Sequence, residues 1–397
     1  MHTAKKNIVF GCYGGGHVQS LIPVIKLLQK KTDLSIIVIG FTTARKAFER
    51  AGIEAYGYDY LLNNDDGEWL NLAKKYLPET THPDVSENET LAYYSIGLKD
   101  LSLKYGRDEA IKMFKAEGRK VFFPVQTFIQ FLKRNSPDIV VTSTSPRSEL
   151  ALQYAARALN INSLAVSDLF LQKESEYICN GNYSENITVM AEYVAQFLRV
   201  KGYKGKIYVT GNPAFDILNT SNLHRPLLRE QLEIPENKKV ILWVCPSAYV
   251  SMIGKPFVKP EIIISFLENF CSKYHEYSYI VRQHPNHSII DAKQVKSGVL
   301  CPSSISIEDC ISAVDLVLLE TSTVGLQAAL TGLPVVTINA GNYPPYAELG
   351  ISVDVSGMSE LTDALLEARK PRLDKLSYPE LGTAAEQVKN VILDIIS

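Results

Sequence analysis

The chain has 397 residues, too many for one ordinary core and comfortable for two domains of about 150–200 residues. With 46 % hydrophobic and 21 % charged residues it has the composition of a globular protein, not of a disordered or fibrous one. A formal net charge of −2 gives no strong field to attract nucleic acid or an anionic membrane, so nucleic acid is not expected as a partner.

The opening MHTAKKNIVFGCYGGGH does not read as a secretory signal, because its apolar run is only Ile8, Val9 and Phe10 before glycines arrive. No apolar stretch of about 18 residues suggests a membrane span. Cys12, Cys179, Cys245, Cys271, Cys301 and Cys310 are scattered and form no CxxC pair, which fits reduced, mostly buried thiols in a cytoplasmic protein.

Short β-rich runs alternate with helical ones, the rhythm of βαβ units and a parallel sheet. Lys6–Gly11 reads as a first strand, and a glycine loop follows it. Leu21, Val24, Ile25 and Leu28 have helical spacing within Ser20–Lys30. Leu34–Ile39 is a second buried strand, Thr43–Ala51 a short helix and Ala55–Tyr58 a third strand. Residues 62–120 are polar and tyrosine-containing, and read as an insertion of helices and loops. Both an acceptor-binding element and a plain surface excursion suit it. The rhythm resumes with helix Pro124–Arg134, strand Asp138–Thr142, helix Leu150–Leu159 and strands Ser163–Val166, Ile187–Met190 and Lys206–Thr210. The turn-rich run Gly211–Asp216 is the expected domain boundary.

A second series starts afresh. Strands are expected at Lys239–Cys245, Tyr277–Arg282, Val299–Cys301, Asp315–Leu319 and Pro334–Ile338. Helices are expected at Pro260–Lys273, Ser306–Ser312 and Val324–Leu330, and the tail Ala384–Ile396 is an amphipathic helix. Two α/β series, each with its own first strand, predict twin Rossmann-like, doubly wound domains over 1–216 and 217–383.

Ligands of open parallel sheets bind outside the carboxyl ends of the strands, so the residues after each strand are the candidates. After the first strand come Gly14, Gly15, Gly16 and His17 at a helix start, where backbone approaches a ligand closely and a partial negative charge is favoured. A neutral imidazole there can take a proton from a sugar hydroxyl or water, and the helix N-terminus disfavours imidazolium. A histidine that only bonds the loop is the plainer alternative. Thr144, Ser145 and Ser148 suit capping of the next helix, with Glu149 in its first turn. Asp168, at a strand end, can orient His17 or contact an acceptor, or serve only as a turn aspartate. In the second half, Gln283-His284-Pro285-Asn286-His287 lacks a completing carboxylate or cysteine, so no metal site is expected. Thr321, Ser322 and Thr323 open a helix and suit a phosphate, although capping alone would explain them. Glu320 at a strand end can accept two ribose hydroxyls. Tyr249 can stack on a base or simply pack.

The run Gly14-Gly15-Gly16-His17, followed by Leu21 and Pro23, resembles the GGxxGHxxP-like opening of GT-B glycosyltransferases, among them the lipid II glycosyltransferase and the plant-type UDP-glycosyltransferases. Thr210-Gly211-Asn212-Pro213 resembles the TGNP turn of the lipid II enzyme. Arg282 to Asn286 and Glu320 to Gln327 look like elements of UDP-N-acetylglucosamine 2-epimerases and of capsule, teichoic-acid and CMP-sugar-using bacterial transferases. The resemblance spans the chain by short motifs only.

It implies two domains facing each other across a cleft, acceptor-binding over 1–216 and donor-binding over 217–383, with the 384–397 helix returning to the first. It implies inverting, metal-independent transfer, without cofactor, from a UDP-, GDP- or CMP-linked sugar to a glycan, lipid-linked or protein acceptor, in bacterial surface-glycan synthesis. His17 would be the base, assisted by Asp168. Gly15, Gly16, His284, Glu320, Thr321, Ser322 and Thr323 would line the nucleotide-sugar. Peripheral membrane contact stays open. Two departures rank the readings. Cys12-Tyr13 stand where the lipid II enzyme has a threonine-glycine pattern. The arginine-proline-glutamate opening of the 2-epimerases is missing, which places epimerase below transferase. A nucleotide-sugar hydrolase and a non-catalytic nucleotide-sugar-binding subunit remain as alternatives.

Overall fold

The computed structural model describes residues 5–168, 170–219, 225–246, 257–284, 290–338 and 343–397. It divides into two compact units, Met1–Asp216 with Thr383–Ser397, and Ile217–Gly382. Among the described residues, no helix is long and apolar enough to cross a membrane.

The first unit is built on strands β1 (Lys6–Cys12), β2 (Leu34–Gly40), β3 (Ile139–Thr142), β4 (Asn162–Val166), β5 (Asn186–Val189) and β6 (Lys206–Val209), in the order β2-β1-β3-β4-β5-β6. All pairings are parallel; Ile8 faces Ile139 and Ile36 across β1. Parallel strands are covered on both faces, which is why these runs are almost wholly apolar. Successive side chains then feed two cores. Ile8 and Phe10 pack with Val24 and Ile25 of the Gly16–Leu28 helix and with Val388 and Ile392 of the C-terminal helix. Val9 and Ile39 join Phe41, Tyr58, Phe128 and Leu152 on the other side. The Ala384–Ile396 helix belongs to this unit, and its first N–H groups are capped from a distance. Asp216 accepts from the Ala384 and Ala385 N–H groups at 3.0 and 2.8 Å.

Two expectations change here. Ala55–Tyr58 is not a strand: Tyr56 makes one parallel bridge to Ile39, and a 3-10 turn follows at Tyr58–Leu61. The Tyr58 N–H is taken by the Glu89 carboxylate, 2.9 Å to each oxygen, and so cannot join a ladder. Gly57 admits that carboxylate, since a Cβ there would lie 1.9 Å from Glu89 Oε2. Nor is the 62–120 insertion a surface excursion. Its Glu87–Tyr105 helix is buried from Glu89 to Ser102 except for the half-buried Leu91, and carries Ile96 and Leu98 into the second core. The helix looks polar because its charges are paired inside. Lys99 donates to Asp66 at 2.5 Å, and Asp100 accepts from the Gln126 and Thr127 N–H groups and the Thr127 hydroxyl, capping the Val125–Asn135 helix.

The second unit repeats the plan with β7 (Lys239–Val244), β8 (Tyr277–Arg282), β9 (Val299–Leu300), β10 (Leu316–Leu319), β11 (Val335–Ile338) and β12 (Val353–Val355), in the order β12-β11-β10-β7-β8-β9. Trp243 and Tyr279 fill its core. The edge strand β12, half exposed, carries too few apolar residues to register in the sequence.

Candidate functional site

Each sheet has one place where the chain leaves in opposite directions from neighbouring strands: between β1 and β3 in the first unit, and between β7 and β10 in the second. Such switch points open a crevice at the strands' carboxyl ends.

In the first unit the crevice is bordered by the loops after β1, β3 and β4. The Gly16–Leu28 helix begins four residues before the apolar spacing predicts, so His17 lies in its first turn. Gly15 precedes it at φ +76°, a left-handed conformation that favours glycine. Gly16 lies against Asp168: a Cβ there would sit 3.6 Å from Oδ2. His17 Nδ1 lies 3.1 Å from Asp168 Oδ1, with the aspartate only 8 % exposed and the histidine 22 %. The two are in ion-pair contact, with the N–H off the line to the oxygen. Burial alone would lower the imidazole pKa. Asp168 outweighs it, with Glu149 and Glu174 behind, and the ring is raised to about 9. This environment favours the imidazolium, whereas the helix start taken alone favours a neutral ring.

Glu149 is fully buried and accepts from the Tyr13 N–H (2.5 Å), the Ser145 N–H (3.2 Å) and the Ser143 hydroxyl (2.6 Å). It ties the loop after β1 to the loop after β3. The hydroxyls expected to cap the Ser148–Ala158 helix do not do so. Arg147 occupies the N-cap position at φ +71°, Ser148 Oγ is 2.6 Å from the Tyr58 hydroxyl, and Ser145 Oγ turns to the Pro146 carbonyl. Thr144 Oγ1 is buried with no partner among the described residues. The Arg147 guanidinium lies 5.8 Å from the centre of the Tyr13 ring. Glu174 and Arg147 escaped the sequence reading. Glu174 lies in no motif, Arg147 stands unremarked between Ser145 and Glu149, and only the folding of three loops brings them beside the glycine run.

In the second unit, Glu320 follows β10 and is 2 % exposed. It accepts from the Val258 N–H at 2.6 Å through Oε1, while Oε2 is buried with no partner among the described residues. Burial raises its pKa to about 7, against the Val258 N–H. Thr321, Ser322 and Thr323 bridge to the Val324–Leu330 helix. Ser322 Oγ accepts from the Val324 N–H at 3.3 Å, and Thr323 at the N-cap makes no side-chain cap. The Tyr346 hydroxyl donates to the Ser322 carbonyl at 2.7 Å and steadies the turn. His284 stands two residues beyond β8, half-buried, next to Gln283, whose amide clamps Ile290 through both its atoms. Pro285, Asn286, His287 and Tyr249 lie outside the described residues. Thus His17, Asp168, Gly15 and Gly16 come together in one unit, and Glu320 to Thr323 adjoin one another in the other. Among the described residues, no group of three or more His, Cys, Asp and Glu is arranged to hold a metal ion.

Comparison with solved structures places this geometry. UDP-GlcNAc 2-epimerase from Methanocaldococcus jannaschii superposes with a TM-score of 0.61 at 14 % identity, over 98 % of this chain and 99 % of that one. The chain shares its fold. The Neisseria meningitidis UDP-GlcNAc 2-epimerase bound to UDP-GlcNAc gives 0.60 at 15 % identity, over 98 % and 100 % of the two chains. The wall teichoic acid polymerase TagF, soaked with CDPG, gives 0.53 at 14 % identity, over 98 % and 88 %. No family model matches the chain, and no curated protein matches it by sequence. The architecture is thus the α/β GT-B arrangement of two Rossmann-like domains, common to these epimerases and this polymerase.

Proposed function

We propose that this chain is an enzyme acting on a nucleotide-linked sugar, with the second unit holding the nucleotide and the first moving the proton. The His17–Asp168 pair at the first switch point carries the reading: a titratable ring in a crevice, fixed by a buried carboxylate, is suited to acid–base work. The UDP-GlcNAc and CDPG in the similar structures support the substrate class. Glu320 would accept a ribose hydroxyl on its spare oxygen. His284, Thr321, Ser322 and Thr323 would face the phosphates, and Gly15 and Gly16 would allow close approach of the sugar.

Inverting transfer to an acceptor hydroxyl is the form placed first. His17 takes the acceptor proton, Asp168 stabilises the imidazolium formed, and the hydroxyls at 321–323 with the helix N–H groups bear the charge of the leaving phosphate. In this form the ring must first lose its proton, so kcat/KM rises with pH towards about 9. Epimerisation at C2 is the second reading, favoured by the 2-epimerases among the similar structures and by the carboxylates around a protonated His17.

One experiment separates them. The full chain is incubated with UDP-, GDP- and CMP-sugars in D2O and followed by NMR. Epimerisation breaks a C–H bond and places solvent deuterium on the sugar. Transfer or hydrolysis releases nucleotide and leaves the carbon-bound hydrogens in place. A thermal-shift screen runs beside it: a nucleotide at a hundred times its Kd adds about 2.7 kcal/mol to the folded state. If no nucleotide shifts the melting and none is consumed, the reading falls.

A further inference from the structure

Away from both switch points, two sulfurs meet in the second unit. Cys301 directly follows β9, and Cys310 lies in the Ile307–Ala313 helix; both are buried. Their Sγ atoms are 3.0 Å apart, so that one S–H points at the other sulfur. Arg282, at the end of β8, donates through Nη1 to Cys301 Sγ at 3.6 Å and to the Pro302 carbonyl at 2.7 Å. All six cysteines are free, and four are held as thiols: burial pushes Cys12 and Cys179 up, Cys271 up to about 11 and Cys245 up to about 12. Cys301 goes the other way. The Cys310 S–H hydrogen bond and the Arg282 guanidinium hold it below the ordinary thiol range in spite of burial, while Cys310 is pushed up. A thiolate stabilised by a cation, with a second thiol in contact, is the arrangement of a reactive cysteine and its resolving partner.

We propose that Cys301 and Cys310 are a modification site, a dithiol that a small hydroperoxide oxidises reversibly to a disulfide. Cys301, 7 % exposed against 0 % for Cys310, reacts first. Its sulfur takes one peroxide oxygen and the O–O bond breaks. The departing hydroxide becomes water with the proton that Cys301 released. The Cys310 sulfur then attacks the sulfenic acid, the S–O bond breaks, and a second water leaves with the Cys310 proton. Two thiols and one hydrogen peroxide give one disulfide and two waters, with two electrons passing to the peroxide. The new bond ties the end of β9 to the Ile307–Ala313 helix and leaves Arg282 beside an uncharged disulfide sulfur in place of a thiolate. The inference does not depend on the ligand assigned to the switch points.

The test uses the reduced full-length protein, hydrogen peroxide near stoichiometric amounts, alkylation of remaining thiols and peptide mapping by mass spectrometry. A Cys301–Cys310 linked peptide should form at least about tenfold faster than Cys271 is modified, and dithiothreitol should reverse it. Cys310→Ser should stop at a Cys301 sulfenic acid that dimedone traps, and Cys301→Ser should leave Cys310 unmodified. Oxidation of Cys271 or Cys179 first, or passage of Cys301 to the sulfinic acid without the link, overturns the proposal. The wild-type order of reaction decides the matter even if a serine variant does not fold.

Discussion

Each unit places a buried glutamate between a strand that borders its switch point and the first turn of the next helix, and the two are used differently. Glu149 spends its oxygens on three donors from two loops. Among the described residues Glu320 has one hydrogen-bond partner and a buried oxygen without one. Two sheets of the same plan thus carry a saturated carboxylate that braces backbone and an unsaturated one that awaits a donor. A buried acceptor without a partner costs about 1–3 kcal/mol, so a fold that keeps one does so most economically where a ligand fills it. The comparison extends to the ring proposed to carry the proton: His17 stands at the first switch point, whereas the second has hydroxyls and a glutamate.

The largest effect expected is on turnover. His17→Ala should lower kcat by about 10²–10⁴, the range of a lost acid–base group, while nucleotide binding measured by calorimetry stays within a few-fold. Asp168→Asn should follow in the same direction, because the ring loses its charge partner. Full activity in His17→Ala would take the chemistry away from the first switch point; loss of nucleotide affinity with it would contradict the division of labour between the units.

Glu149→Ala should be the most destabilising change among the switch-point carboxylates. It strips two N–H groups and a hydroxyl of their acceptor inside the protein, at about 1–3 kcal/mol for each that stays dry. Denaturant unfolding should therefore show a loss of about 3 kcal/mol or more. A loss below about 1 kcal/mol would mean that the loops after β1 and β3 do not need their brace.

Stability should also fall with pH in two separate windows. Burial, against the hydrogen bonds they accept, raises the pKa of Glu89 and Glu320 from 4.5 to about 7. A raised folded-state pKa gives stability that is full below the unfolded value and lost as pH rises through the folded one, so this part is lost between about 4.5 and 7. His17 is raised from 6.5 to about 9, and its part is full below about 6.5 and lost as pH rises through 9. Each shift corresponds to about 3 kcal/mol as an upper figure. Hydrogen exchange resolved by unit should find the upper window in the first unit alone, and His17→Gln should erase it. An upper window that survives this change would assign the titration to another group.

Much of this was legible in the sequence because parallel strands buried on both faces are unbroken apolar runs, and KNIVFGC, LSIIVIG and KVILWV announce themselves. His17, Asp168 and Glu320 could be nominated since they follow such runs. What stayed hidden depends on partners distant in sequence. The burial of the Glu87–Tyr105 helix rests on Lys99 with Asp66 and Asp100 with Thr127, polar pairs that make a core helix look like a surface one. Tyr58 reads as strand until Glu89 takes its N–H from 31 residues away. The upward pull on the His17 pKa has the same origin: the helix terminus is local in sequence, and the carboxylates that raise the ring come from other loops.

The smallest effect discriminates best between the two glutamates. Glu320→Gln keeps the acceptor for the Val258 N–H and removes the titrating group, so the folded state should lose little, and the second unit should lose its pH dependence between about 4.5 and 7 while the share of Glu89 in the first unit remains. Nucleotide affinity should drop by about tenfold, about 1.4 kcal/mol, because an amide offers one acceptor oxygen where a carboxylate offers two. In the wild type the same affinity should strengthen as pH rises through about 7 and Glu320 ionises, and in Glu320→Gln it should be flat. Calorimetric titrations at three pH values decide it. A flat wild-type profile with unchanged affinity in the variant would leave Glu320 as a second brace like Glu149, and the two switch points would then differ only in their loops.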